Sequence, residues 1–261
     1  MIDLNFIRNF FPPAIAANAA FEKQMLKEYL QLMILDYISS SAYAPKLSFI
    51  GGTNLRLIKK IDRFSEDLDF DCKRLSKEEF ANLTDDVVKY LQKNGLNAVV
   101  KLKESERTSA FRRSIYFPQM LFELGLSGHK EERLLIKVEA EDQGFTYTPE
   151  IKNINGCGFF FPLQTPPDST LCSMKISALI SRGKGRDFYD SMFLLQQTEP
   201  DLEYLKSICG IQNIEALKKT LIDVANNTNL NIKKRDFEHL LFNIHSSEKI
   251  LHFKEFIESR W

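Results

Sequence analysis

Between residues 18 and 41, in NAAFEKQMLKEYLQLMILDYISSS, apolar side chains recur three and four positions apart: Phe21, Met25, Leu26, Tyr29, Leu30, Met33, Ile34 and Tyr37. That period predicts an amphipathic helix packed on a core. A continuous apolar run, KLSFI, then ends at Gly51 and Gly52 and reads as a short buried strand running into a glycine turn. TNLRLIKKI returns to helical spacing, with Thr53 placed to cap it. DLDFDC predicts the next strand. SKEEFANLTDDVVKYLQKNG opens with Ser76 and Glu79 in capping-box spacing and closes at Gly95, which predicts a helix between them.

Alternation in NAVVKL, SAFRRSIYF and RLLIKVEAE predicts further strands of a mixed sheet, while PQMLFELGL fits helix or strand. The stretch GFTYTPEIKNINGCGFFFPLQTPPD is turn-rich and aromatic. From Asp168 onward the pattern is one of successive helices with polar breaks near 183–185, 198–201 and 227–232, and FKEFIESRW reads as a final helical turn. The expected class is α+β, a mixed α/β sheet with flanking helices followed by a helical C-terminal region. The expected boundary separates a core at 1–165 from a helical domain at 166–261.

Composition narrows this picture by exclusion. The 261 residues are 44% apolar and 27% charged, ordinary globular material, and 35 basic residues balance 35 acidic ones, so any nucleic-acid surface has to be a local patch. Basic residues do cluster in KLKESERTSAFRR and NIKKR, for which solvated surface is the plain reading. Cys72, Cys157, Cys172 and Cys209 form no C-x-x-C pair, against both a zinc site and a disulfide framework. His129, His239, His245 and His252 show no ligand spacing. Neither the N-terminal MIDLNFIRNFFPP nor any later run has the apolar length of a signal or a membrane span. A cytoplasmic protein without membrane association is the expectation.

The chemistry concentrates in FIGGTNLRLIKKIDRFSEDLDFD. The strand period of two puts Ser65, Asp67, Asp69 and Asp71 on one face and Leu68, Phe70 and Cys72 on the other. An exposed polar face is the plain alternative, but aspartate is depleted in strands. Two carboxylates about 4 Å apart also repel by roughly 4 kcal/mol at an effective dielectric near 20. A divalent cation converts that repulsion into coordination. Mg²⁺, or Mn²⁺ in its place, suits such a site because it takes one or two carboxylates, keeps waters and completes its shell with substrate phosphates. Gly51, Gly52 and Thr53 at a strand-to-helix turn would let backbone N–H groups approach a triphosphate. The spelling is neither a P-loop nor a dinucleotide fingerprint.

Ile50-Gly51-Gly52-Thr53 followed by Asp67-Leu68-Asp69 resembles the DNA polymerase β-like nucleotidyltransferase superfamily. GGTNLRL, RFSEDLDF, IKVEAE and KISALISRGKGRDFYDSMFLL, in this order, resemble the AbiEii family of nucleotidyltransferase toxins over roughly residues 15–200. The resemblance implies a nucleotidyltransferase-like fold and transfer of a nucleoside monophosphate from an NTP such as ATP or GTP to an acceptor hydroxyl. Asp67 and Asp69 would hold metal, with Glu139 as a third carboxylate and metal ligand, or else only part of the exposed face of an alternating strand. It also implies an RNA acceptor such as the 3′ end of tRNA, and a cognate antitoxin.

The same resemblance implies that Lys175, a cation on an otherwise apolar helical stripe, reaches the triphosphate; a lysine snorkelling from the core edge is the alternative. Asp190 would be a catalytic-motif residue with Asp187 next in line, or else half of a structural Arg186–Asp190 pair. Ser65 would contact the nucleotide site and accept an inhibitory phosphate. Two further readings stay open: a nucleotidyltransferase acting on a protein or small molecule, and a nucleotide-binding module without turnover.

Overall fold

The structure, a computed structural model, describes residues 2–101 and 110–261; much of KLKESERTSAFRR lies outside them. The chain packs as two compact units. One comprises Met1–Lys60, Phe64–Gln143 and Glu150–Thr165, the other Ile61–Arg63, Gly144–Pro149 and Pro166–Trp261.

The first unit is built on a mixed sheet of β1 (Leu47–Ile50), β2 (Leu68–Cys72), β3 (Val99–Lys101), β4 (Phe111–Phe117) and β5 (Leu134–Glu141), in the order β1-β2-β5-β4-β3. The β2–β5 pair is parallel and the other neighbours are antiparallel. Alternation along β5 sends Leu134, Ile136, Val138 and Ala140 into the core and leaves Leu135, Lys137, Glu139 and Glu141 half-exposed, as a half-buried strand requires. Around the sheet lie α1 (Leu4–Arg8), α2 (Pro13–Ala16), α3 (Glu22–Ser39), α4 (Gly51–Leu57), α5 (Lys77–Lys93) and α6 (Met120–Glu123). The reciprocal Ser76–Glu79 capping box opens α5, which buries Phe80, Leu83, Val87, Val88 and Leu91 on one face. PQMLFELGL resolves as the short α6.

Four sequence expectations change. The helix α3 is not amphipathic: Leu32 and Leu35 are as buried as the expected stripe, and even Glu28 and Gln31 lie inside. Glu28 is held by the Arg56 guanidinium at 2.8 and 3.1 Å, and Gln31 donates to the Ser65 carbonyl at 3.1 Å. Thr53 does not cap α4, because the helix begins at Gly51 with Ile50 at the cap position. The strand β2 begins only at Leu68, so Ser65 and Asp67 precede it and strand parity covers Asp69 and Asp71 alone. Finally, the turn-rich aromatic stretch contains a hairpin of β6 (Glu150–Gly156) and β7 (Phe159–Thr165). Its two-residue turn places Cys157 at φ 50° and Gly158 at φ 83°, the left-handed pair of a type I′ turn.

The second unit is helical: α7 (Asp168–Arg182), α8 (Gly185–Leu195), α9 (Leu202–Cys209), α10 (Ile214–Asn226), α11 (Leu230–Lys233) and α12 (Phe253–Arg260), with 3₁₀ segments at Lys234–Leu240 and Ile244–His252. Leu171, Ile176, Leu179, Phe188, Leu194, Phe253 and Ile257 are buried, and the Phe188 and Phe253 rings meet edge to face at 5.0 Å. Ile61–Arg63 joins this unit, with Arg63 bridging Leu241. The four cysteines are unbridged. Among the described residues no helix is long and apolar enough to cross a membrane.

Candidate active site

Register places the carboxylates. Asp69 of β2 lies opposite Ile50 at the end of β1 on one side and opposite Glu139 of β5 on the other. Immediately after Ile50 the chain turns at Gly51, whose φ of +80° belongs to the left-handed region. A methyl group at Gly51 would fall 2.1 Å from Asp69 Oδ2. The turn therefore admits no side chain at Gly51, and the Asp69 carboxylate lies directly over the backbone there. The Thr53 hydroxyl donates to the Asp67 carbonyl, which ties α4 to the approach of β2. Gly51→Ala is expected to destabilise the protein by about 1–3 kcal/mol through strain and the forced movement of Asp69. Thermal melting checks the loss; an unchanged melting temperature would mean that the turn relaxes freely.

Charge at this edge is mixed. Arg112 of β4, opposite Glu139 in register, grips the Glu139 carboxylate with Nε at 2.6 Å and Nη2 at 2.9 Å. Lys137 Nζ stands 3.8 Å from Asp67 Oδ2, and Lys27 Nζ stands 3.7 Å from Glu66 Oε1. Burial pushes the Asp67 carboxyl above its usual range, opposed by Lys137 and Lys27. Burial likewise pulls the Lys27 ammonium down against the pull of Glu66 and Asp67. Among the described residues no group of three His, Cys, Asp or Glu side chains is gathered to hold an ion. Asp67 and Asp69, two positions apart with Asp69 against the Gly51 turn, nevertheless supply hard oxygen donors of the kind that Mg²⁺ takes while sharing its shell with water and phosphate. Asp71 belongs elsewhere: it is buried and accepts from the Gln143 N–H at 2.9 Å.

Within the second unit, Asp190 is fully buried and accepts from Arg63 Nε at 2.8 Å, Arg63 Nη2 at 2.7 Å and Lys175 Nζ at 2.9 Å. Burial alone would raise its carboxyl, but Arg63 and Lys175 outweigh that and hold it below the usual carboxylate range. The partner is therefore Arg63, not Arg186. Lys175, 7% exposed, does not snorkel; its ammonium points inward. Asp187 is also buried, joined to Arg182 at 2.8 and 2.7 Å and accepting from the Lys184 N–H at 3.2 Å, so it caps α8. Ser65, 7% exposed, lies in the loop before β2. In NIKKR, Lys233 faces Asp236 at 3.8 Å and Lys234 faces Glu248 at 4.0 Å.

The sequence profile described as "Nucleotidyl transferase AbiEii toxin, Type IV TA system" matches residues 33–258. The chain belongs to the AbiEii nucleotidyltransferase toxin family. No curated protein matches it. Among solved structures, MenT4, a nucleotidyltransferase toxin of Mycobacterium tuberculosis H37Rv, superposes with a TM-score of 0.59 at 13% identity over 99% of this chain and 90% of that one. JHP933 from Helicobacter pylori superposes with a TM-score of 0.56 at 18% identity over 92% of each chain. At these identities the likeness is one of fold.

In this AbiEii nucleotidyltransferase the Asp69 carboxylate lies against the Gly51 turn, and the Asp67 carboxylate faces Lys137. The chain also carries three cations that sequence reasoning did not single out. Arg112 enters the sequence reading only within the basic cluster KLKESERTSAFRR, read as solvated surface, and a predicted strand, and Lys27 lies in a segment that predicts only a helix. Arg63 occupies the polar stretch between α4 and β2, where an isolated arginine reads as surface. Lys27 stands three positions before the buried Leu30, the one sign in the sequence that it lies close to the core.

Proposed function

We propose that this enzyme transfers a nucleoside monophosphate from an NTP to a hydroxyl of RNA, such as the 3′ end of tRNA, in a divalent-metal-dependent reaction. The observation that carries the reading is the placement of the Asp69 carboxylate over the Gly51 backbone, with Asp67 just before the same strand and Glu139 opposite Asp69 in register. Asp67 and Asp69 would hold Mg²⁺ or Mn²⁺. Bound there, the ion would neutralise phosphate charge and raise the acidity of the acceptor hydroxyl.

The chain's own residues do the positioning that phosphoryl-type transfer needs. The side-chain-free turn at Gly51 lets the Asp69 carboxylate approach the backbone, and the triphosphate would lie beside that turn. Arg112 fixes the plane of Glu139, which takes the proton from the attacking hydroxyl as the new bond to the α-phosphorus forms and the bond to pyrophosphate breaks. The family description pairs such toxins with an antitoxin, whose task would be to prevent modification of the acceptor.

Incubating the purified protein with α-³²P-labelled NTPs and total RNA, protein or small-molecule acceptors tests the reading. Label is expected in RNA with Mg²⁺ and absent with EDTA. Label confined to protein or to a small molecule would replace the acceptor, and nucleotide binding without product would leave a module without turnover.

A further inference from the structure

Asp67 lines a second space in the first unit, a cavity of about 290 Å³ bounded by the start of α3, the residues before β2 and the approach to β5. Lys23, Lys27, Arg133 and Lys137 line it against Glu66, Asp67 and Glu132. None of Gly51, Gly52, Thr53 or Asp69 is among its lining residues. Lys23 is satisfied by Glu132 at 2.5 Å. Lys27 and Lys137 approach their carboxylates only to 3.7 and 3.8 Å, too far for good hydrogen bonds, and each ammonium has three donors to place. The Lys27 side chain is 14% exposed. A lysine kept this dry and this loosely paired costs desolvation free energy that an arriving anion would offset.

We infer that this cavity binds a backbone phosphate of the acceptor strand, next to the nucleotide that bears the attacking hydroxyl. The inference rests on the RNA-acceptor reading above. In-line transfer needs the attacking oxygen and the leaving pyrophosphate on opposite sides of the α-phosphorus. The glycine turn beside Asp69 is assigned to the triphosphate, and the cavity shares Asp67 with that site but nothing of the turn. An anion held here therefore arrives with the nucleophile. The volume suits a phosphate and its sugar; whole-ligand pockets run from about 300 to 1,000 Å³.

The test uses the full chain, wild type and Lys27→Gln. A 5′-fluorescein single-stranded hexanucleotide with a free 3′-hydroxyl is titrated by anisotropy, and a non-hydrolysable NTP analogue by calorimetry. Lys27→Gln is expected to weaken the oligonucleotide about tenfold and to reduce its salt slope by about 0.7, with analogue affinity changed by less than about twofold. A neutral methylphosphonate in the terminal linkage should cost the wild type a similar factor and cost Lys27→Gln nothing more. Arg133→Gln, at an exposed position, should show the same selectivity in smaller measure and serves if Lys27→Gln does not fold. Loss of analogue affinity instead would give the cavity to the triphosphate and overturn the inference. So would equal oligonucleotide affinity in both variants and in the methylphosphonate, while wild-type labelling of RNA would leave the acceptor reading intact. A wild type that neither labels nor binds RNA would remove both.

Discussion

Asp69→Asn should lower nucleotidyl transfer by at least about three orders of magnitude while leaving the melting temperature near that of the wild type. Asp69 is half-exposed on an interior strand of the sheet, and its backbone pairing with Ile50 and Glu139 does not depend on the carboxylate. Asparagine has nearly the same shape, so the close approach to Gly51 survives. What goes is a negative oxygen donor at the point where chain, cation and triphosphate would meet. Single-turnover transfer from a labelled NTP, with a thermal melt in parallel, separates the two effects. Full transfer by the variant would remove Asp69 from the chemistry, and a collapse of the melt would make it a structural residue.

The largest stability effect is expected from Asp190→Asn, a loss of about 3–5 kcal/mol, or roughly 6–20 °C in melting temperature for a chain of this size. Arg63 and Asp190 are both fully buried, and Lys175 donates to the same carboxylate. Removing the anion leaves two cations in the interior without the charge that stabilises them there. The pH dependence has a definite sign. Because the folded carboxyl is held below its usual range, its contribution is complete above the unfolded value near about 3.9. It is lost as pH falls through the lower folded value. Wild type should therefore lose this increment only in strong acid, whereas the variant lacks it throughout. Chemical denaturation at neutral pH and near pH 3 checks both statements; a variant as stable as wild type at neutral pH would mean that water or backbone replaces the carboxylate.

The parts of the fold legible in the sequence are those dictated by local rules. Ser76 and Glu79 announce α5 because the capping box is satisfied within four residues. The alternation in RLLIKVEAE becomes β5 because one face meets the core. The aspartates stand out because carboxylates are costly where Asp67 and Asp69 lie. The parts missed depend on partners distant in sequence. Thr53 looks like a cap until the Asp67 carbonyl takes its hydroxyl. The helix α3 hides its burial because Glu28 and Gln31 find Arg56 and the Ser65 carbonyl. The β6–β7 hairpin escaped because its turn is spelled Cys157-Gly158 amid aromatic residues, without the usual Asn-Gly.

The Arg63–Asp190 pair also bears on how the chain is made. The two residues are 127 positions apart, and Ile61–Arg63 packs with the later helices although the chain on both sides of it packs with the first unit. At a synthesis rate of about 5–20 residues per second, Arg63 is incorporated roughly 6–25 s before Asp190. During that interval the first sheet can begin to form, but residues 61–63 have to remain hydrated and uncommitted. Formation of the helical unit is thus a late, long-range closure, and a nascent toxin interrupted before Asp190 is translated has a helical unit whose buried charge cluster cannot yet exist.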